Sequence, residues 1–404
     1  MTSKGCQAQK SPRIILAPDS FKECLSAADV CRALRRGIEN RRPDVEVLAA
    51  PMADGGEGSL NALNPSAEGS IISLDVSHPL GAHRDRVRVD YLLATDGHLA
   101  VIESARACGL QLIPPTQRDP HVATTRGVGE LLRHAVGRGV RHIIVAVGGS
   151  ATVDGGTGLA RALGFRFLDE QGRDLPEGGL ALARLARIAG PAPANRHHWQ
   201  ALQKIRVQVA CDVDNPLVGA NGAAEVYAEQ KGQPGKVDIA GLALGLQQLA
   251  RVVHDQFGVD LAGMPHGGAA GGLAAGLSYF AGADLRRGFE LIRSRIGLRE
   301  KIASADLVIT GEGRTDHQTL HQKVCQGVAE LARDLSVPCA LVSGSIAEDF
   351  DAPQLLGVTQ AVSLMQPGES VEDSKAATAE RLRKAGEDLA DRLDELSRPP
   401  NRTS

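Results

Sequence analysis

Five times along this chain a short, mostly aliphatic run ends in a loop crowded with glycine and acid. Ile14–Ala17 runs into Pro18-Asp19-Ser20-Phe21-Lys22, and Val45–Ala49 into Met52-Ala53-Asp54-Gly55-Gly56-Glu57-Gly58. Ile143–Val147 runs into Gly148-Gly149-Ser150-Ala151-Thr152-Val153-Asp154-Gly155-Gly156, and Val207–Ala210 into Cys211-Asp212-Val213-Asp214-Asn215-Pro216. Asp306–Thr310 runs into Gly311-Glu312-Gly313-Arg314-Thr315-Asp316. Short apolar runs bounded by turn residues read as buried strands of a parallel sheet. Helical patterns lie between them: Ser26 is placed to cap a helix with Val30, Leu34 and Ile38 on one face, and Val328–Leu335 is helical. That alternation predicts α/β architecture with helices on both faces, and such sheets bind ligands outside the carboxyl ends of their strands.

The chain has 404 residues, too many for one core, so two domains are expected. The middle has a different rhythm. Val87, Val89 and Tyr91 alternate with Arg86, Arg88 and Asp90, an Asp96-Gly97 turn follows, and Leu99–Ile102 returns. That is a hairpin of an antiparallel or mixed sheet. We expect a doubly wound parallel-sheet domain from residues 1–70 and 285–404, interrupted by a mixed α/β domain at 71–284. The last helix is expected over Ser374–Leu396.

Composition narrows the function classes. A formal charge of −3 with no basic run gives no nucleic-acid or membrane footprint, and aromatics at 3% supply no stacking platform. Seven scattered cysteines without a C-x-x-C pair read as reduced thiols, and Met1–Pro12 is polar, so a cytoplasmic location is expected. Asn401-Arg402-Thr403 is read as a chance sequon in such a tail. The sequence has no G-x-x-x-x-G-K-[ST], no G-x-G-x-x-G after a strand, no G-x-S-x-G and no H-E-x-x-H.

The loops themselves carry the chemistry. Asp19, Ser20 and Lys22 follow the first strand and precede a helix, an arrangement suited to an anion or a metal. Asp54, Gly55, Gly56 and Glu57 combine acids with glycines that admit close backbone approach. Gly149, Ser150, Thr152, Asp154 and Gly155 offer small hydroxyls and exposed amides as a phosphate cradle. Asp212 and Asp214 are two apart, so in extended chain they would share a cation, although Asp-Asn-Pro is also a common turn. Lys231 lies in a nearby polar loop. His266-Gly267-Gly268-Ala269-Ala270-Gly271-Gly272 reads equally as a ligand contact or a hinge. Glu312, Arg314, Asp316 and Lys323 bring both signs of charge to one strand end, as phosphoryl transfer requires.

Taken in order, these stretches resemble the bacterial glycerate kinases of the glyoxylate and galactarate pathways, from Ile14 to about Leu389. The carrying residues are Ala17–Lys22, Ala53–Gly58, Gly148–Thr152 with Asp154–Gly156, Cys211–Leu217, Gln230–Gly232, Gly271-Gly272 and Thr310–Arg314. The resemblance implies ATP, Mg²⁺ and D-glycerate, a flavodoxin-like domain with an inserted α/β domain, and an active site in the cleft between them. It favours 2-phosphoglycerate as product, with 3-phosphoglycerate or a non-catalytic sugar-acid or nucleotide binder as alternatives. A homodimer stays open. We assign Asp316, Lys22, Lys323, Arg314 and Asp19 as candidate catalytic residues and Asp212 and Asp214 as candidate metal ligands. The sequence departs from the family pattern D-x-Q-T-x-x-G-K-x-P at Gln322 and Cys325, and Glu23-Cys24 replaces a smaller pair.

Overall fold

The computed structural model describes residues 11–397 apart from 23, 57, 65–67, 82–83, 321–323 and 367. Among the described residues the strands are β1 (Arg13–Leu16), β2 (Glu46–Ala49), β3 (Ser70–Val76), β4 (Val87–Leu93), β5 (Leu99–Glu103), β6 (His142–Ala146) and β7 (Arg166–Leu168). They continue with β8 (Arg187–Ala189), β9 (Arg206–Cys211), β10 (Asp284–Arg287), β11 (Leu307–Thr315), β12 (Cys339–Ile346) and β13 (Gln360–Ser363). Two compact units result: one from residues up to Ala53 and from Ile292 onward, the other from Asp54 to Leu291.

The first unit is a five-stranded parallel sheet in the order β13-β12-β11-β1-β2. Counting only its own strands, that is the 2-1-3-4-5 order of the flavodoxin-like doubly wound fold. Its topological switch lies between β1 and β11, whose Ile14 to Leu16 pair with Leu307 to Ile309. Ser26 caps the helix Ala27–Arg41 through the Asp29 amide, as its position predicts. Val30, Leu34 and Ile38 join Ile14, Leu16, Leu307 and Ile309 in one core with Leu382 and Leu389 of the helix Val371–Asp391.

Those two helices touch backbone to backbone. A Cβ on Gly37 would stand 1.9 Å from the Arg383 carbonyl oxygen, and one on Gly386 would stand 2.4 Å from that of Leu34. The atom in the way is main chain, so only a helix shift relieves the clash. Gly37→Ala is therefore expected to destabilise the first unit by about 2 kcal/mol, helix propensity gained being outweighed by overpacking. Urea unfolding measures it, and a neutral or stabilising result would show that the two helices separate freely.

The second unit has a six-stranded mixed sheet, β10-β9-β6-β5-β4-β3. β5, β6, β9 and β10 are parallel, while β3 and β4 form the antiparallel edge. The Asp96-Gly97 turn closes β4 onto β5, with Gly97 at φ 67°. A small β7–β8 ribbon accompanies the sheet and went unpredicted, its strands being three residues each. Most of the core lies on one face, built from Ile143, Val145, Val207, Val209 and the helices Arg126–Gly137, Ile239–Phe257 and Ala269–Ala281.

The unit boundaries fall at 53/54 and 291/292 rather than at 70/71 and 284/285. The physical reason is local. A Cβ on Gly55 would lie 3.0 Å from the Ala210 carbonyl carbon and from the Gly288 Cα, so the Asp54 loop packs on the second unit's strand ends. The Ser374–Leu396 helix is two pieces, Val371–Asp391 and Leu393–Leu396.

Candidate active site

In the first unit the switch point carries Asp19, Ser20 and Lys22 after β1, with Glu312 to Asp316 extending β11. The Asp19 amide donates to the Gly311 carbonyl at 2.8 Å, which fixes the two loops side by side. Lys22 is exposed and Asp19 buried. Glu312 is buried, with two hydroxyls on its carboxylate. Its Oε1 accepts from Thr315 Oγ1 at 3.1 Å and Thr319 Oγ1 at 2.6 Å, and Thr315 also bonds Ser343 Oγ at 3.0 Å. Sequence alone gave Thr315, Thr319 and Ser343 no role, since isolated hydroxyls form no pattern until the fold brings them together.

Arg314 stands out toward solvent with its Nε 3.1 Å from Asp316 Oδ2. Asp316 Oδ1 accepts the Gln318 amide at 2.9 Å, so this aspartate shapes the short turn His317–Leu320. The helix holding Val328 is described over Val324–Asp334. Cys325, one of the family departures, is buried in that helix and receives Thr310 Oγ1 at 3.8 Å. Burial and the nearby Glu312 push its thiol well above the ordinary value, which disfavours the nucleophilic thiolate. Lys323, Gln322, Glu57 and Glu23 lie outside the described residues.

In the second unit the carboxyl ends of β5, β6, β9 and β10 form one rim. Gly56 meets Gly148 there: a Cβ on Gly148 would lie 2.9 Å from the Gly56 Cα. Asp54 Oδ1 accepts the Gly56 amide at 3.3 Å. Glu103, at the end of β5, accepts the Leu60 amide at 3.0 Å and Arg106 Nε at 2.7 Å, tying the Asp54 loop to the sheet. It too was missed, because a single acid ending a strand carries no signal.

The Gly148–Gly156 loop turns most of its polar side chains inward. Gly148 and Gly149 are exposed, whereas Ser150, Thr152, Asp154, Gly155 and Lys231 are buried. Asp154 accepts four hydrogen bonds, from the Thr125 amide and hydroxyl at 2.9 Å each and from the Gly156 and Gly158 amides at 3.1 Å each. Burial pushes its carboxyl upward and these donors oppose that. Gly271 and Gly272, at φ 69° and 86°, press against this loop, with a Cβ on Gly271 meeting the Thr152 carbonyl oxygen at 1.9 Å. That contact makes the segment a packing device rather than a hinge.

The expected Asp212–Asp214 pair forms differently. β9 ends at Cys211, so strand alternation no longer governs the two side chains. Asp212 Oδ1 accepts the Gly288 amide at 3.1 Å. Asp214 is exposed and sits 3.2 Å from both Arg287 Nη2 and His266 Nδ1. Among the described residues no group of three or more His, Cys, Asp or Glu could hold a metal ion.

The sequence pattern of the glycerate kinase family matches residues 14–394. The chain belongs to the glycerate kinase family. It is 40% identical to a glycerate kinase of Halalkalibacterium halodurans over 93% of this chain and 97% of that protein. It is 37% identical to glycerate 2-kinase of Escherichia coli over 94% of this chain and 97% of that one. A crystal structure of a provisionally assigned glycerate kinase 2 from Salmonella typhimurium LT2 superimposes with a TM-score of 0.82 at 40% identity, covering 95% of this chain and 99% of its own.

Proposed function

We propose that this protein transfers the γ-phosphoryl group of ATP to the 2-hydroxyl of D-glycerate, giving 2-phosphoglycerate and ADP. The observation that carries the reading is the first unit's switch point, where Lys22 and Arg314 stand as cations beside the carboxylates Asp19 and Asp316. Phosphoryl transfer asks a protein mainly for positioning and charge neutralisation, and this is such a set. In the proposed scheme Asp316 orients the glycerate hydroxyl and accepts its proton as the O–P bond forms. Lys22, Arg314 and Lys323 neutralise phosphate or carboxylate oxygens. The exposed Gly148 and Gly149 amides receive a further anionic group.

Magnesium, when bound with ATP, would neutralise phosphate charge. It keeps several waters and needs only one or two carboxylates. Asp212 and Asp54 would supply these carboxylates, Gly288 lying against both residues: its amide donates to Asp212 Oδ1, and a Cβ on it would stand 2.1 Å from the Asp54 main-chain carbonyl oxygen. We propose these two in place of the Asp212–Asp214 pair, because Asp214 is already engaged with Arg287. A cytoplasmic location is part of the same proposal, supported by free thiols at the six described cysteines. Among the described residues no helix is long and apolar enough to cross a membrane.

The test is ADP release with D-glycerate and Mg·ATP, followed by enolase. Phosphoenolpyruvate should form without added phosphoglycerate mutase. A signal that needs the mutase would move the phosphoryl group to position 3, and glycerate-independent ADP release, or none, would end the kinase reading.

A further inference from the structure

Lys231 is 4% exposed, in a short turn at Glu229–Lys231 far along the chain from the loop it meets. Its Nζ donates to Ser150 Oγ at 2.8 Å and to the Thr152 carbonyl at 2.9 Å. The same loop is pinned elsewhere by main chain. The Leu110 amide donates to the Gly149 carbonyl at 3.1 Å, the Ala151 amide to the Cys108 carbonyl at 2.8 Å, and the Gly155 amide to the Gly271 carbonyl at 3.1 Å. Lys231 supplies the only side-chain cation among these described ties, and it stands behind the exposed Gly148–Gly149 rim.

We propose that Lys231 is a positioning residue: its ammonium holds the Gly148–Asp154 loop in the form that receives an anionic group, without touching that group. The anion is a nucleotide phosphate or the glycerate carboxylate, and the inference rests on the kinase reading above for its place in the reaction. Charge-assisted hydrogen bonds are about twice as strong as neutral ones, so losing the proton weakens both ties and removes the cation behind the rim.

Burial pushes the Lys231 amine down from 10.5 to about 8. The titratable groups facing it are Cys108, from the helix Ala105–Cys108, and Asp154, from the loop itself. Burial holds the Cys108 thiol neutral, up to about 12, so it adds no charge in the working range. Asp154 favours the ammonium form but is engaged by its four donors. The sign follows: the ammonium is present below pH 8 and lost above it, so anion affinity falls as pH rises through that value.

Calorimetry with a non-hydrolysable ATP analogue and, separately, with D-glycerate at pH 7 and pH 9 tests this. For one of the two ligands the wild-type Kd should weaken by about 3- to 10-fold at the higher pH. Lys231→Met should bind that ligand as weakly at pH 7 as wild type does at pH 9, with little change between the two. Lys231→Arg, which keeps its charge throughout, should abolish the pH dependence at wild-type affinity. Should the methionine variant fail to fold, wild type against the arginine variant decides. Equal Kd values for both ligands across pH in wild type, or a pH dependence retained in Lys231→Arg, would overturn the proposal. Pronounced pH dependence without any ADP release would leave this inference standing and defeat the kinase reading.

Discussion

Replacing Asp316 by Asn is expected to lower kcat by about 10²–10⁴ with no change in melting temperature. The structure makes the substitution informative. Asp316 Oδ1 takes the Gln318 amide, and an asparagine oxygen keeps that bond, so the His317–Leu320 turn survives. What is lost is the negative charge, together with the pairing to Arg314 Nε. That pair is well exposed on the arginine side, and exposed pairs contribute within about 1 kcal/mol to stability. Steady-state kinetics beside a thermal melt separates the roles. Full activity with an unchanged melt would remove Asp316 from the chemistry. A lowered melt with a proportionate fall in activity would make it a turn residue only.

The largest stability effect is expected at Asp154. Asp154→Ala removes the acceptor of three backbone amides and one hydroxyl inside a fully buried pocket. Each stranded donor costs about 1–3 kcal/mol, and relaxation around the cavity cannot supply four new acceptors. A loss of at least about 4 kcal/mol follows, enough to unfold the second unit in many conditions. Asp154→Asn should fall between, because its amide oxygen keeps the acceptor on one side while its NH2 group, a donor, cannot accept on the other. Denaturant unfolding measures both. A loss under about 1 kcal/mol for the alanine variant would show that the loop rebuilds its hydrogen bonds elsewhere.

Much of the scaffold could be read before any coordinates. Ser26 with Val30, Leu34 and Ile38 defined a helix because a cap and a 3.6-residue period are local physics. The buried runs at Ile14 and Leu307 defined strands for the same reason. The glycine-rich loops then lay at carboxyl ends by the logic of parallel sheets. What could not be read was which way a loop side chain points. Ser150, Thr152 and Asp154 read as a cradle, yet all three are buried, Ser150 against Lys231 and Asp154 against Thr125, leaving Gly148 and Gly149 on the rim. Asp212 and Asp214 looked like a pair only while the strand was assumed to continue past Cys211.

By itself, then, the amino-acid order determined the alternation of elements, the family and the places where chemistry could occur, since each depends on neighbours a few residues apart. Tertiary structure decided the rest. It set Lys231 against Ser150 across 81 residues, Leu60 on Glu103 across 43, and Asp54 on the second unit's sheet rather than the first. Such contacts depend on burial and backbone approach between segments remote in sequence, and no local pattern encodes a partner that only folding brings within 3 Å.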